Sequence, residues 1–464
     1  MQRIITIGFF LFISILLLDS CLNSTKHSNN LNPAYQNLSK EDKKFLDTLQ
    51  HLSFLYFIHE TNFKTGLVKD RSTNSSPASI SAMGFALPVW AVGVEHNWIL
   101  RQEAAERTLN MLKFLINSDQ SAKSDATGFN GFYYHFLDFK TGKRTWNSEL
   151  STIDTAWLLA GVRFAANYYN LNNNIEKEIR RLSDALSRRV NWNWSVLKTK
   201  NEYDSTITLG WTPEHGFDKI GWIGYNEALF VYVISAGSGL QNVNSIYNNW
   251  LSNYTWKEPY KGLAHIIFPP MFGHQYSHIF IDFRMIQDKY MQKKNIDYFE
   301  NSRRAVLTQW KYAIQNPENW VGYDSLTWGL TACDGPGPRY NYDNKIFNWY
   351  IARGTSGIYD VMNDDGTIAP TAAAASIVFE PVLVIKTLKN MYSKYKDKGI
   401  WGKYGFVDAF NLTVNWFDKD FLGIDQGPIV LMIENFRNDF VWKYIMKDKL
   451  IKKGLKKTGF VKRK

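Results

Sequence analysis

Glu227 is the residue whose surroundings in this sequence most directly suggest acid–base chemistry. It follows the turn-forming segment Gly-Trp-Ile-Gly at 221–224 and precedes the apolar run 228–237, which is typical of a helix buried on most sides. A carboxyl group at the start of such a helix can be a proton donor with a raised pKa. It can equally be a helix-start glutamate held by free backbone amides and the helix dipole. This segment alone favours neither interpretation.

Further carboxylates lie in loops that are rich in glycine and aromatic residues. The candidates are Asp154 in 146–157, Asp334 in 328–337, Asp408 in 404–410 and Asp425 in 422–428. Aromatic residues make up 16% of the chain, and flat aromatic faces beside polar groups suit sugar rings. Glycoside hydrolysis needs two carboxyl groups, one to protonate the glycosidic oxygen and one to activate water or attack directly. The alternative for Asp154 and Asp425 is helix capping, and for Asp334 an ordinary turn.

Motifs for several other chemistries are absent from the sequence. It contains no Walker loop, no GxGxxG after a strand and no GxSxG, which argues against nucleotide binding and serine-hydrolase chemistry. His274 and His278 have the i, i+4 spacing of two metal ligands, but the glutamate of HExxH and a cysteine cluster are missing. We therefore expect hydrogen-bonding roles for these histidines, no metal and no cofactor.

Hydrophobic periodicity predicts about a dozen helices separated by long loops. The predicted helices include 39–58, 80–96, 101–117, 151–169, 176–190, 227–236, 276–290, 298–314, 370–391 with a break near Pro381, and 429–447. The best hairpin candidate has its turn at 138–143. No linker interrupts the chain, so we predict one domain over 39–447. Its helices could form a bundle, a solenoid or a closed toroid of helical hairpins, and the long loops suit the toroid.

The two ends of the chain differ from this domain. Residues 1–20 have a basic start and an apolar core shorter than the roughly 20 residues of a membrane span. They predict a lipoprotein signal with lipid on Cys21, or alternatively a plain secretory signal. Residues 21–38 read as a flexible tether. We thus expect an exported, lipid-anchored and monomeric protein in the periplasm or outer membrane of a Gram-negative bacterium.

The net charge of +11 is concentrated at the C-terminal end. Residues 447–464 hold nine Lys or Arg and one Asp, which is +8 of the total, and the body of the chain is close to neutral. We interpret 448–464 as a solvated, frayed basic tail that can lie near an anionic membrane surface. Nucleic acid is not an expected partner of a lipid-anchored exported protein.

Eight segments resemble the motif series of the bacterial glycoamylase-like family, which contains the endo-β-1,2-glucanases of glycoside hydrolase family 144. They are TGLVKDRS, STIDTAWLLAG, GWIGYNEALFVYVISAGS, PPMFGHQYSHIFIDFR, WGLTACDGPG, DDGTIAPTAAAAS, YGFVDAF and LGIDQGPIVLMIENFR. The resemblance implies an all-α fold, an (α/α)6 toroid of helical hairpins with long active-site loops. It also implies hydrolysis of β-1,2-glucosidic bonds with inversion and without a metal. Some relatives act on sophorose-type chain ends, and the motifs do not separate the two modes.

The resemblance also implies roles for individual residues. Glu227 matches the proposed general acid, and Asp154 matches an acidic position lining the same cleft. Asp425 is the first candidate for the base and Asp408 the second. Relatives can carry an acidic residue near Trp157. The predicted substrate-binding residues are Arg71, Trp211, Tyr225, His274, Gln275, Tyr276, Asp282, Trp328, Asp334 and Glu434.

Other functions stay open at this point. A non-catalytic glycan-binding lipoprotein would need aromatic platforms but no buried acid pair. A glucoamylase-like hydrolase could act on another glucan. A lyase on the same fold would favour an anionic substrate and basic cleft loops, and the acidic loops of this sequence make it the weakest alternative.

Overall fold

The computed structural model describes residues 31–198 and 205–463, in which helices dominate. The helices are α1 (Pro33–Gln36), α2 (Lys40–His59), α3 (Ile80–Glu95), α4 (Arg101–Asn117), α5 (Thr152–Tyr168), α6 (Asn174–Arg189), α7 (Leu229–Gly237), α8 (Val243–Ser252), α9 (Phe272–Phe280), α10 (Lys289–Lys294), α11 (Tyr298–Gln315), α12 (Pro370–Ala374), α13 (Pro381–Tyr395), α14 (Gly423–Asn438), α15 (Phe440–Ile445) and α16 (Lys449–Lys457). Within the described ranges, no helix has both the length and the apolar character that crossing a membrane requires.

Short strands of two or three residues lie in the loops between these helices. They are β1 (Ala78–Ser79), β2 (Gly128–Phe129), β3 (Phe132–Tyr134), β4 (Phe136–Leu137), β5 (Leu150–Ser151), β6 (Val196–Leu197), β7 (Thr206–Ile207), β8 (Gly210–Thr212), β9 (Gly216–Phe217), β10 (Trp256–Lys257), β11 (His265–Ile266), β12 (Ile286–Gln287), β13 (Ala332–Cys333), β14 (Ile351–Ala352), β15 (Gly354–Thr355), β16 (Val361–Met362), β17 (Thr367–Ile368), β18 (Trp401–Gly402), β19 (Gly405–Phe406), β20 (Phe410–Asn411), β21 (Trp416–Phe417) and β22 (Val461–Lys462).

The helices divide into two kinds according to their burial. Helices α3, α5, α7 and α14 are buried almost all round, as expected for apolar sequences without a polar face. Helices α2, α4, α6 and α13 are amphipathic and bury one face. The outer α4 packs on α6 and α3, and α2 packs on α14 and α3. The core therefore runs along the apolar helices, and the amphipathic helices cover it.

Helices α3 and α5 approach most closely at a pair of glycines. A Cβ atom on Gly161 would lie 2.0 Å from the carbonyl oxygen of Gly84, and one on Gly84 would lie 2.4 Å from the carbonyl oxygen of Trp157. Neither helix can accept a larger residue here without a backbone shift. This contact sets the distance between the two helices whose first turns line the site described below.

The substitution Gly161→Ala is expected to destabilise the protein by about 1–3 kcal/mol, because overpacking a tight contact forces backbone shifts. An unhindered Gly→Ala change in a helix would stabilise it by about 1 kcal/mol. Chemical denaturation measures the difference in the free energy of unfolding. The control Ala166→Gly, at a half-buried position of the same helix, reports the helix-propensity contribution alone. A Gly161→Ala variant more stable than the native protein would contradict the close contact.

The largest sheet fixes the start of α5. Its strand order is β2-β3-β5-β8-β9, with Tyr133 paired to Ser151 and Leu150 paired to Trp211. Strand β5 runs directly into α5, and the Ser151 side chain caps that helix by accepting from the Asp154 amide. The predicted hairpin turn is confirmed, since the Asp138 amide donates to the Lys143 carbonyl over 2.7 Å and Leu137 pairs with Arg144.

Several predicted helix boundaries differ from the structure. The predicted helix 276–290 is α9 followed by an extended segment and α10, and the helix predicted from 429 begins at Gly423 and contains Pro428. The break near Pro381 is confirmed, since Pro381 starts α13. Helix α8 was not predicted, because its many asparagines weaken the helical pattern.

Both ends of the described chain are folded onto the domain. In the segment predicted to be a flexible tether, α1 buries Tyr35, and the Asn32 amide donates to the Arg437 carbonyl. In the segment predicted to be a frayed tail, α16 buries Ile451 and β22 pairs with β12. The apolar residues between the lysines explain this difference. Cys21 and the predicted signal 1–20 lie outside the described residues.

Candidate active site

A cleft of about 400 Å³ opens where the N-terminal ends of several buried helices meet. Its charged and polar lining residues are Asp70, Arg71, Ser81, His135, Asp154 and Glu227. Ser81 and Asp154 belong to the first turns of α3 and α5, and Glu227 lies in the turn before α7. Because helix N-termini carry partial positive charge, this end of the molecule favours anionic side chains.

Glu227 is positioned by a contact between its turn and α9. The Ser277 hydroxyl donates to the Glu227 carbonyl over 2.8 Å and accepts from the Phe230 amide over 3.1 Å. The Glu227 Oε2 atom is buried and has no hydrogen-bond partner among the described residues. Burial raises the pKa of Glu227 to about 7. The nearby charge of Asp154 also raises this pKa, and a backbone hydrogen bond lowers it. Glu227 therefore keeps a proton near neutral pH and has the properties of a general acid.

Asp154 is held between a serine and a histidine. Its Oδ1 accepts from the Ser81 hydroxyl, and its Oδ2 lies 3.6 Å from Nε2 of His135. Nδ1 of His135 lies 2.9 Å from Oε1 of Glu149. Burial lowers the pKa of His135, but the neighbouring Asp154 and Glu149 have a larger combined effect and raise this pKa to about 9. At neutral pH a charged His135 thus joins two carboxylates at the edge of the cleft.

The substitution Asp154→Asn is expected to move the alkaline limb of the kcat/KM profile to lower pH. A negative charge at Asp154 favours the protonated form of Glu227, so an uncharged side chain lets Glu227 lose its proton earlier. The shift should be about one pH unit, the order of magnitude of such charge effects. Kinetics across pH 5–9 measure it, and Asp282→Asn is the control. An alkaline limb that stays in place would contradict the coupling of these two carboxyls.

Asp408 and Asp425 form a buried carboxyl pair behind the wall of the cleft. They are 1% and 3% exposed, and each affects the pKa of the other. Burial, with the charges of neighbouring aspartates, raises the pKa of both groups. Leu422 and Ile424, which precede Asp425, line the cleft, and the Asp334 amide donates to Asp408 over 2.6 Å. The pair can therefore hold or release a proton close to the cleft.

Arg71 connects this pair with the cleft. Its Nη1 lies 2.7 Å from Oδ2 of Asp334 and 3.4 Å from Oδ2 of Asp420, and its Nε lies 3.4 Å from Oδ2 of Asp70. The three carboxylates raise the pKa of Arg71 against the opposing effect of burial. Arg71 is therefore charged and fixed in orientation, as a residue that binds hydroxyl groups must be.

Two groups of ligand atoms among the described residues have metal-site spacing. They are His135 with Glu149 and Asp154, and Asp334 with Asp418 and Asp420. The first group already forms the hydrogen-bonded chain described above, and the Arg71 guanidinium binds two carboxylates of the second. His274 and His278, the pair with metal-like spacing in the sequence, belong to neither group.

Aromatic side chains form much of the remaining wall. They are Phe136, Trp146, Trp157, Phe272, Tyr276 and Tyr350. Trp146 is 62% exposed, lies 5.2 Å from the Phe136 ring and has a φ of 55°, which is strained for a bulky residue. The Tyr276 hydroxyl donates to the Ile424 carbonyl over 2.9 Å. Exposed and fixed rings of this kind are suited to stacking on sugars.

Of the predicted residues, Glu227, Asp154, Arg71 and Tyr276 line the cleft, and Asp334, Asp408 and Asp425 lie directly behind it. The structure gives the others different surroundings. Five of them are buried in the core: Tyr225 shares a hydrogen bond with Ser302, Trp328 donates to Thr387, His274 and Gln275 contact backbone carbonyls, and Glu434 binds His96 and Arg437. The other two lie elsewhere. Asp282 pairs with Arg284 after the C-terminal end of α9, and Trp211 packs on Trp194 and Phe129.

Sequence reasoning did not find several residues of the cleft. Ser81 and His135 are separated in sequence from the acidic loops, and Tyr350 lies in a long irregular segment. The strand pairing of β1 with β4 brings Ser79 opposite Phe136 and so places Ser81 near His135. Only Asp70 had a local signal, because it directly precedes Arg71.

Comparisons with known proteins agree on one family. The family model described as "Putative glucoamylase" matches residues 219–449. An exo beta-1,2-glucooligosaccharide sophorohydrolase (non-reducing end) of Parabacteroides distasonis is 28% identical over 97% of this chain, which spans 62% of that protein's length. A "putative glucoamylase" structure from Bacteroides uniformis has 30% identity and a TM-score of 0.77, with 92% of this chain and 98% of that chain covered.

A further similar structure contains a bound sugar. It is the endo-beta-1,2-glucanase of Chitinophaga pinensis in complex with sophorotriose and glucose, with 27% identity and a TM-score of 0.77. The match covers 91% of this chain and 99% of that chain. The described helices and loops of this chain therefore share their fold with a glucanase of known structure.

Proposed function

The chain belongs to the glycoamylase-like family, and from this premise we propose that it is a glycoside hydrolase of β-1,2-glucan or sophoro-oligosaccharides. The observation that carries the proposal is the buried Glu227 carboxyl, whose Oε2 has no hydrogen-bond partner among the described residues, in a cleft walled by aromatic rings. A raised pKa is what a proton donor to a glycosidic oxygen requires. The relatives named for β-1,2-linked substrates, one exo-acting and one endo-acting, support the choice of linkage.

In the proposed reaction, Glu227 protonates the glycosidic oxygen as the bond to the anomeric carbon breaks. Water attacks that carbon from the opposite face, and the Asp425–Asp408 pair takes up the proton of this water, so the configuration inverts. Because both aspartates lie behind Leu422 and Ile424 rather than in the lining, the proton passes through a second water or a substrate hydroxyl. Arg71, Tyr276 and Trp146 hold the sugar rings.

The fold proposed for this chemistry is a closed (α/α)6 toroid. Contacts between successive buried helices support it. Gly84 of α3 meets Gly161 of α5, and Trp157 of α5 stacks on Phe230 of α7 at 5.3 Å. Ser277 of α9 donates to the turn before α7, and Gln275 of α9 donates to the Ala372 carbonyl of α12 over 2.8 Å. Helix α12 packs on α14, which packs on α3. This series returns to its starting helix, as a ring of six inner helices requires.

The proposed location follows from the sequence of the N-terminal region. We propose that the protein is exported, carries lipid on Cys21 and acts as a monomer in the periplasm or at the outer membrane. Mass spectrometry of the membrane fraction, before and after Cys21→Ser, tests the lipid. A cysteine without added acyl mass in the wild-type protein would contradict it.

A panel of glucans tests the proposed specificity. The purified domain is incubated with linear β-1,2-glucan, β-1,3-glucan, β-1,4-glucan and α-1,4-glucan, and the products are separated by chromatography. We expect sophoro-oligosaccharides from β-1,2-glucan alone. Release from α-1,4-glucan instead would assign the cleft to a glucoamylase-like hydrolase. Binding of β-1,2-glucan without release of any product would favour a glycan-binding protein.

A further inference from the structure

The C-terminal segment covers the end of the domain opposite the cleft. The cleft is lined by residues at the N-terminal ends of buried helices, whereas residues 440–463 contact the C-terminal ends of the same helices. Phe440 packs on Tyr168 at the end of α5, a Cβ atom on Gly237 at the end of α7 would meet the Leu450 carbonyl, and Trp442 donates to the His278 carbonyl near the end of α9. A 17-residue helix such as α5 is about 25 Å long, which is the approximate separation of the two ends.

Helix α16 has one apolar and one basic side. Ile451, Gly454 and Leu455 are buried against the domain. The helix's lysines are exposed and recur at the spacing of one helix face: Lys449, Lys452, Lys453, Lys456 and Lys457. Lys443, Lys447 and Lys462, in neighbouring parts of the segment, are exposed as well. We call these eight lysines the basic face.

The basic face has little negative charge to neutralise it. Asp448 is 1% exposed and is bound by Arg163 at 2.7 Å. Within the described part of the chain, no ion pair joins a lysine of α16 to a carboxylate. A shallow groove of about 1420 Å³ beside α16 is lined by Lys453, Lys456 and Lys457 together with asparagine, glutamine and serine side chains, and its lining contains no carboxylate. The exposed ammonium groups of these lysines suit the phosphate oxygens of lipid headgroups.

The N-terminal end of the described chain lies at this same end of the domain. The Asn32 amide donates to the carbonyl of Arg437, which belongs to the last turn of α14, whereas the first turn of α14 lines the cleft. Residues 1–30 precede this point. The chain therefore enters the domain at the end that carries the basic face.

We propose that the basic face docks on an anionic phospholipid surface, so that the cleft points away from the membrane. Clustered lysines are attracted to anionic leaflets, and each is worth roughly fivefold in affinity. The attraction decays within a Debye length of about 8–10 Å, which leaves the cleft outside the membrane field. The docking is a property of residues 443–462 and does not depend on hydrolysis.

Vesicle sedimentation tests this proposal with residues 31–464, which contain the whole described core and omit the predicted signal and lipid site. The probes are vesicles of equal parts phosphatidylglycerol and phosphatidylcholine, and vesicles of phosphatidylcholine alone. One variant replaces the five lysines of α16 by glutamine. The matched control replaces five exposed loop lysines by glutamine, with the same change in net charge: Lys64, Lys123, Lys140, Lys219 and Lys261.

We expect binding to the anionic vesicles alone, a loss of at least about 100-fold in the α16 variant and little change in the loop variant. Equal losses in both variants would attribute binding to net charge and overturn the proposal. Absence of vesicle binding would also overturn it. In that case dextran sulfate serves as a second probe, and binding to it would indicate that the ligand of the basic face is a soluble polyanion. Glucan hydrolysis, measured in parallel, should be unchanged in both variants, so this proposal and the proposed function fail separately.

Discussion

Replacing Glu227 by glutamine is expected to lower kcat on β-1,2-glucan by about 10²–10⁴, the usual contribution of a general acid or base. Glutamine keeps the shape of the side chain but has no proton to give at the pH of the reaction. The fold should be unaffected, because Glu227 Oε2 has no partner among the described residues and the turn is held by its backbone carbonyl. Steady-state kinetics and thermal unfolding measure the two effects separately.

A substrate with a fluoride leaving group provides the control for this role. Fluoride leaves without protonation, so a sophoro-oligosaccharyl fluoride should be cleaved by Glu227→Gln at close to the native rate. Activity on β-1,2-glucan within tenfold of the native enzyme would show that Glu227 is not the acid. Equal loss on both substrates would mean that Glu227 serves in binding or in activating water.

The second large effect is expected from Asp425→Asn. If the Asp425–Asp408 pair receives the proton of the attacking water, kcat should fall by at least about 10², and the fluoride substrate should not restore it. The free energy of unfolding of Asp425→Asn, in contrast, should increase. Burial raises the pKa of Asp425 in the folded protein, so ionisation of this group lowers the free energy of unfolding. That stability is lost as the pH rises from the pKa of the unfolded chain, about 4, through the raised pKa of the folded protein. An uncharged asparagine removes this loss.

Thermal unfolding at pH 5 and pH 8 measures the stability effect. We expect the native protein to lose stability between these pH values and Asp425→Asn to lose less, with equal or higher stability at pH 8. Asp408→Asn provides a comparison at the other member of the pair. Full activity in both variants would restrict the pair to a structural role. A variant that is less stable at pH 8 would contradict the ionisation of the pair.

The sequence predicts those parts of this protein that depend on local pattern. Glu227 stands out because an apolar helix follows it, and the apolar α3 and α5 are predicted within two residues of their observed ends. The candidate carboxyl and the buried helices are therefore visible without coordinates, whereas the segment around Glu227 alone does not decide its role. The pairing of strands between distant loops is not visible in this way, and so His135, which joins Asp154 to Glu149, was missed.

The C-terminal segment shows how charge can hide a folded element. Nine basic residues in 447–464 suggest a solvated tail, because like charges repel. However, residues 450, 451, 454 and 455 are spaced to form one helix face, and this face packs on α7. In contrast, the motifs around His274, Gln275 and Glu434 mark positions that the structure surrounds with core hydrogen bonds, which sequence spacing alone cannot distinguish from a binding site.

The most direct test of inverting hydrolysis by Glu227 and the Asp425–Asp408 pair is the anomeric form of the first product. Linear β-1,2-glucan is mixed with enzyme in an NMR tube, and the reducing-end anomeric signals are recorded before mutarotation. Initial appearance of the α-anomer of sophoro-oligosaccharides, lost in Glu227→Gln, is the predicted result. Initial appearance of the β-anomer would indicate retention through a covalent intermediate and would contradict the proposed roles of these carboxyls.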